Sequence, residues 1–235
     1  MKIAICIPSR GDMMMGTAFD LATMCAYDAR FRQGTQGIYT VNGTLIFDQR
    51  NKLAEAALNE GADYILWVDA DMRFPKNTIE RLLAHDKDIV GVNATTRHYP
   101  VVPTAKYLEC DFETNTSTWI PVDSLGKTGI EQVSAIGCGV MLVKRKVFEG
   151  IPKPYFWFYD LKGHKILGED IHFCIAAHDA GFETWVDHGL SNEIGHIGQL
   201  VYNWDMIRQE KEYGLDKLRR PQNNGRKLSR KKRSK

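Results

Sequence analysis

Apolar residues arrive in short blocks separated by polar, glycine-bearing stretches. Lys2–Ile7 (KIAICI) is one such block, stopped by Pro8-Ser9-Arg10-Gly11, which predicts a buried strand opening into a loop. Thr17–Ala29 has helical character, and Ile38–Val41 predicts a weaker strand within the glycine-flanked stretch Gly34–Gly43. Asp48–Asn59 (DQRNKLAEAALN) puts Leu53, Ala56 and Ala57 on one helical face, with Gly61 as its stop signal. Tyr64–Val68 (YILWV) is a second fully apolar strand, followed by a helix near Asn77–His85 and a strand at Asp88–Asn93. This strand–helix alternation predicts parallel βαβ units.

From 101 to 143 the pattern changes. Thr-, Val- and Trp-rich runs are broken by Gly126, Gly129, Gly137 and Gly139, which predicts an antiparallel or mixed part of the sheet. Gly168–Ala180 reads as a helix ending at Gly181, then a short strand at Glu183–Val186 and a His-containing loop to about Gly198. There is no internal repeat and no linker before residue 217.

Composition narrows the class. With 43% hydrophobic and 26% charged residues, the 235-residue chain is neither mainly disordered, collagenous nor a disulfide scaffold, and it is long enough to bury one α/β core. No apolar run approaches the roughly 18–20 residues that span a bilayer. The Ile3–Ile7 run is also shorter than the apolar region of a signal peptide. Cys6, Cys25, Cys110, Cys138 and Cys174 are odd in number and never form a CxxC pair, so reduced, mostly buried thiols in a cytoplasmic protein are expected.

Charge divides the chain. The net +2 hides ten basic residues and no acid from Lys217 onward, which leaves 21 basic against 29 acidic residues in the preceding 216. The basic run, with Pro221, Gly225 and two Asn, predicts a disordered C-terminal tail. It is either a polyanion-binding segment or a solubilising extension.

The chemistry concentrates at Tyr64-Ile65-Leu66-Trp67-Val68-Asp69-Ala70-Asp71. A strand this apolar is buried on both faces, so Asp69 and Asp71 belong at its C-terminal mouth, where open α/β sheets bind ligands. Strand periodicity points i and i+2 the same way, so the pair either addresses one divalent cation and a phosphate or forms a helix-capping turn.

Around that pair the chain resembles nucleotide-sugar glycosyltransferases of the GT-A fold, in particular the broad inverting family 2-like group. The resemblance spans about residues 2–198. It is carried, in order, by Ile7-Pro8-Ser9-Arg10, the helix with Arg50-Asn51, Asp69-Ala70-Asp71, Gly137-Cys138-Gly139-Val140-Met141-Leu142, Gly168-Glu169-Asp170 and His196. It implies an α/β architecture: a single GT-A-like Rossmann-type domain with a mixed central sheet over 1–216, and the basic tail at 217–235.

The resemblance also implies roles. Pro8, Ser9, Arg10, Arg50, Asn51 and Asp69 are expected to line the nucleotide site; without the resemblance, Arg50 would read as a solvated first-turn residue. Asp71 and His196, with Asp69 directly or through the metal's water shell, are expected to hold Mn²⁺ or Mg²⁺ under the diphosphate. His188 competes with His196, whose flanking Gly195 and Gly198 favour it. Asp170 is expected to be the general base, with Glu169 second or orienting the acceptor. Arg97 reads as a surface charge, and Cys138 lacks a base partner. Tyr155-Phe156-Trp157-Phe158-Tyr159 cannot all face one core, so its rings either line a cleft or are buried on two faces. The donor is expected to be a nucleoside diphosphate sugar. The acceptor that fits both tail and aromatics is a hydroxymethylated pyrimidine in DNA, as in viral enzymes that glycosylate their own genomes. A surface glycan, a lipid-linked saccharide, a protein side chain, and a non-catalytic nucleic-acid-binding role compete with it.

Overall fold

Strong apolar blocks become the middle of a sheet. The computed structural model describes residues 1–32, 35–97, 101–111, 116–161 and 165–198. In chain order the first half holds β1 (Lys2–Ser9), α1 (Met15–Phe31), β2 (Thr35–Asn42), α2 (Ile46–Asn59), β3 (Tyr64–Val68), β4 (Met72–Arg73), α3 (Thr78–Ala84) and β5 (Ile89–Gly91). Next come β6 (Lys106–Asp111), β7 (Thr116–Pro121), β8 (Ile130–Val133), β9 (Val140–Lys144) and α4 (Arg145–Gly150). The last elements are β10 (Tyr159–Leu161), β11 (Lys165–Leu167), α5 (Glu169–Asp179), β12 (Thr184–Asp187), α6 (His188–Ser191) and β13 (Gly195–His196). Met1–Gly198 form one compact unit. The expected boundary at 216 and the tail at 217–235 lie outside the described residues.

Among the described residues the main sheet has seven strands in the order β2-β1-β3-β9-β5-β12-β8. Parallel pairs β1/β2, β1/β3 and β5/β12 flank β9, which runs antiparallel to both β3 and β5, and β8 is antiparallel to β12. The sheet is therefore mixed, as the change of pattern after residue 101 implied. β6 and β7 form a separate antiparallel pair.

Side-chain alternation divides the core between the two faces. Ala4, Cys6, Ile65, Trp67, Met141 and Val143 point to the layer that includes Leu53 of α2 and Phe173 of α5. Ile3, Ile5, Ile7, Leu66, Val68 and Leu142 point to the layer with Met24 of α1 and Ile79 of α3. Because β1, β3 and β9 are buried on both faces, they had to read as continuous apolar runs.

The boundaries differ in informative places. α2 starts at Ile46, two residues before the predicted Asp48, so Arg50 and Asn51 lie inside the helix rather than at its start. The predicted loop before Gly198 contains α6 and β13. α6 is capped by Asp187, whose Oδ1 accepts from Leu190 N at 2.7 Å. β13 exists only through its antiparallel pairing with β4, Gly195 opposite Arg73 and His196 opposite Met72. No local pattern announces a two-residue strand whose partner is so remote in the chain.

Candidate active site

The parallel strands β1, β3 and β5 end at one mouth, and the candidate residues gather there. After Val68 the chain turns sharply: Asp69 N donates to Gly139 O at 3.0 Å, and Met72 N donates to Asp69 O at 3.2 Å. This turn delivers Asp71 to the start of β4, beside β13. Ile197 N then donates to Asp71 O at 2.8 Å, and His196 Nε2 comes 3.3 Å from Asp71 Oδ1. Gly195 suits the close pairing, since a Cβ there would sit a tight 3.2 Å from the Cβ of Arg73.

His196 is held in a definite orientation. Its Nδ1 lies 2.6 Å from Thr95 O, and a carbonyl can only accept, so Nδ1 carries a proton and Nε2 is the nitrogen offered to the mouth. Burial raises Asp71, but His196 and Arg97 outweigh it and hold the carboxylate below its usual range. The bond from Asp71 raises His196, against the effect of its burial.

Arg97 is not a free surface charge. Its Nη1 lies 2.5 Å from Asp71 Oδ2. Nothing in the local sequence marks it, because the pairing needs β5, β4 and the loop after β5 to converge.

The second half of the site is built around Arg50. Its guanidinium is only 3% exposed and donates from Nη2 to Asp69 Oδ1 at 2.8 Å and from Nε to Glu169 Oε1 at 3.2 Å. Arg50 Nη1 is buried without a hydrogen-bond partner among the described residues, and the guanidinium carbon lies 5.5 Å from the Trp67 ring centroid. Burial works against the charge, and the carboxylates of Asp69 and Glu169 outweigh it. The nearby Cys138 thiol is itself pushed well up by burial, so it stays a neutral thiol rather than a nucleophile. A solvated Arg50 is thus excluded, and the sequence held a signal for this. Arg50, Leu53, Ala54 and Ala57 follow i, i+3, i+4, i+7 spacing, which puts Arg50 on the buried face.

Asp170 lies in the first turn of α5, next to Glu169. Burial first, then the Glu169 charge, push its carboxyl up to about 6, although Ile171 N donates to Oδ1 at 2.8 Å. Gly168 permits this geometry, since a Cβ there would meet Asp170 Oδ1 at 2.8 Å. A carboxylate of pKa near 6 is a better proton acceptor near neutral pH than an ordinary aspartate.

The other expected residues divide. Pro8 is buried at the end of β1, Ser9 Oγ donates to Asp12 O at 2.6 Å, and Arg10 is exposed just beyond. Asn51 is committed to holding the aromatic segment: Nδ2 donates to Phe156 O (2.8 Å) and Phe47 O (2.9 Å), while Oδ1 accepts from Phe156 N (3.1 Å). Of the aromatic run, Tyr155 and Phe156 are buried, Phe156 stacking on Phe173 at 4.8 Å. Trp157 and Phe158 stay 47% and 42% exposed, edge-on to Phe47. Burial therefore holds for Tyr155 and Phe156, while Trp157 and Phe158 are partly exposed; the Tyr159 side chain lies outside the described residues. His188 is buried and bound to Glu131 Oε2 (2.6 Å) and Ser124 Oγ (2.8 Å), away from Asp71.

Asp71 and His196 are suited to a divalent cation, being one carboxylate and one oriented imidazole, each mostly enclosed. Asp69 is already turned to Arg50, and among the described residues no third His, Cys, Asp or Glu completes a ligand set. Phosphate oxygens and water would supply the remaining positions, which is how nucleotide sites hold Mg²⁺ and its relatives. A separate cavity of about 740 Å³ is lined by Arg81, His85, Lys127, Asp187 and Glu193 among others, and includes none of these residues. Within it, Arg81 pairs with Glu193 at 2.7 Å, and His85 Nε2 lies 2.9 Å from Asp187 Oδ2.

Among the described residues no helix is long and apolar enough to cross a membrane. No curated protein sequence matches the chain. Residues 44–129 match the family Anp1, a GT-A-like glycosyltransferase family, over the stretch that contains Arg50, Asp69, Asp71 and Arg97. Among solved structures, the A197 protein of STIV is similar at 15% identity and a TM-score of 0.50, covering 86% of this chain and 97% of that one. The catalytic domain of Drosophila beta1,4-galactosyltransferase 7, solved in complex with xylobiose, is 18% identical, with a TM-score of 0.49 and coverage of 88% and 79%. The family match, over 86 of the 235 residues, agrees with the mixed sheet and its carboxylate-bearing mouth in a GT-A-like fold.

Proposed function

We propose that the protein transfers a sugar from a nucleoside diphosphate donor to an acceptor hydroxyl with inversion, using Asp170 as the base. The observation that carries this reading is the enclosed Asp170 carboxyl, raised to about 6 by burial and Glu169, within the electrostatic reach of Arg50 and Asp69 at the mouth. In the transfer, the acceptor oxygen bonds to the anomeric carbon, its proton passes to an Asp170 oxygen, and the carbon–oxygen bond to the diphosphate breaks. Asp71 and His196 would hold Mn²⁺ or Mg²⁺, which supplies Lewis-acid neutralisation of the departing diphosphate. Pro8, Ser9 and Arg10 supply the loop for the nucleotide. Asp69 is positioned by Arg50 and is left to meet the donor ribose or the metal's water shell. Glu169 shares that guanidinium and keeps the Asp170 side of the mouth in place.

The acceptor in this reading is a hydroxymethylated pyrimidine in DNA. An acidic body repels a phosphate backbone, so affinity for DNA falls to the ten basic residues from 217 onward. Trp157 and Phe158 offer exposed ring faces on which a base can stack. The test is sugar transfer from nucleoside diphosphate sugars to hydroxymethylated and unmodified duplexes, by the whole chain and by a chain truncated after Asp216. Transfer is expected only to the hydroxymethylated duplex. Truncation should leave donor binding unchanged while weakening DNA binding. Its salt dependence should flatten by about 0.9 in log–log slope for each phosphate that the tail no longer neutralises. No transfer to either duplex, with tail-dependent binding to anionic vesicles, would move the acceptor to a membrane-associated glycan.

A further inference from the structure

We propose that Arg97 is a positioning residue that neutralises Asp71 in the donor-free protein and passes to the diphosphate when a divalent cation binds. Both oxygens of Asp71 are already engaged, Oδ2 with Arg97 Nη1 at 2.5 Å and Oδ1 with His196 Nε2 at 3.3 Å. A cation bound at Asp71 needs one of them. His196 cannot withdraw easily, because Nδ1 is tied to Thr95 O and β13 is paired to β4. Arg97 can: its side chain is 52% exposed, against 17% for Asp71. A guanidinium and a divalent ion also repel, so sharing one half-enclosed carboxylate is unfavourable.

A displaced Arg97 is left at the rim of the mouth with its fork of donors unpaired. A diphosphate fits that fork, since planar guanidinium groups bind phosphate oxygens bidentately. An ion arriving alone must break a salt bridge without replacement, whereas an ion arriving with a diphosphate exchanges one pair for another. Metal and diphosphate should therefore bind cooperatively, with Arg97 as the source of coupling. One loop serves both ends of this exchange, as Thr95 orients His196 and Arg97 carries the charge. The inference rests on reading Asp71 and His196 as cation ligands, and goes beyond it by giving the chain its own occupant for that place.

The experiment is a titration of Mn²⁺ into the donor-free whole chain, followed by the electron paramagnetic resonance of the free ion. Labelled pyrophosphate binding is then measured at saturating Mn²⁺. Arg97→Ala should bind Mn²⁺ about two- to fivefold more tightly than the parent, the upper part of the range for removing a partly exposed ion pair. The same variant should bind pyrophosphate more weakly. Arg97→Lys, which keeps the charge without the fork, should fall between in both assays and serves as the second variant if the alanine protein does not fold. Adding Asp71→Asn to Arg97→Ala should abolish the gain. Equal or weaker Mn²⁺ affinity in Arg97→Ala, with the parent binding Mn²⁺ through Asp71, overturns the role of Arg97 and leaves the metal reading standing. Absence of Mn²⁺ binding in all of these proteins overturns both.

Discussion

Asp170→Asn should make the protein more stable at neutral pH while removing its catalysis. The substitution keeps the shape and the Oδ1 acceptor for Ile171 N, and replaces an enclosed charge by a neutral amide. The carboxyl is raised from 3.8 to about 6 in the folded state, chiefly by burial and by Glu169. Two pKa units correspond to roughly 3 kcal/mol. The residue keeps a partial opening to solvent, which reduces the expectation to about 2 kcal/mol. The sign follows from linkage. Well below the unfolded-state value of 3.8, Asp170 is protonated in both folded and unfolded chains, so parent and variant should be equally stable. As pH rises toward 6, the unfolded chain ionises freely while the folded one resists, so the parent loses stability that the variant retains. Above about pH 6 the difference should level off. Urea denaturation from pH 4 to 8, on both proteins, measures it directly. Transfer by the parent should fall as pH drops through about 6, and the variant should bind donor normally but lose roughly 10²–10⁴-fold in rate. A stability difference that does not change with pH, or a variant less stable than the parent at pH 8, would refute the argument that Asp170 is an enclosed, destabilised carboxylate.

Two further expectations concern the frame around the site. Arg50→Met removes the shared partner of Asp69 and Glu169, and should cost about 3–5 kcal/mol in urea denaturation at pH 7. A loss under about 1 kcal/mol would show that the two carboxylates do not depend on Arg50. Asn51→Ala should cost about 2–3 kcal/mol by freeing the Phe156 peptide groups, and should raise the mobility of Trp157 in fluorescence anisotropy. Unchanged stability and anisotropy would place Asn51 in ligand binding instead.

Much of the layout was legible in the residues. Lys2–Ile7 and Tyr64–Val68 are apolar without alternation because strands covered on both faces have no polar side, and that same property placed Asp69 and Asp71 at a strand end. The antiparallel β9 was foreshadowed only as a change of pattern, since direction is set by partners rather than by the strand's own residues. Arg50 was legible as a mouth residue but not as a buried one, even though its spacing with Leu53, Ala54 and Ala57 puts it on the inward face of α2. Asn51 shows the converse, a residue in the right place whose amide is spent on Phe156 and Phe47.

What the sequence determined by itself was local: which stretches are strands or helices, which ends carry carboxylates, and where acidic and basic charge separate. Those properties follow from side-chain periodicity and composition, which need no partner. Tertiary structure decided every pairing at the site. His196 reaches Asp71 because β13 pairs with β4 from the far end of the domain's sequence, and Arg97 reaches the same carboxylate from the loop after β5. Arg50 joins Asp69 to Glu169 from a third element, and Asp170 acquires its raised pKa only when α5 encloses it beside them. Ion pairing and desolvation depend on distances of a few ångströms between residues remote in sequence, and only the folded chain sets those distances.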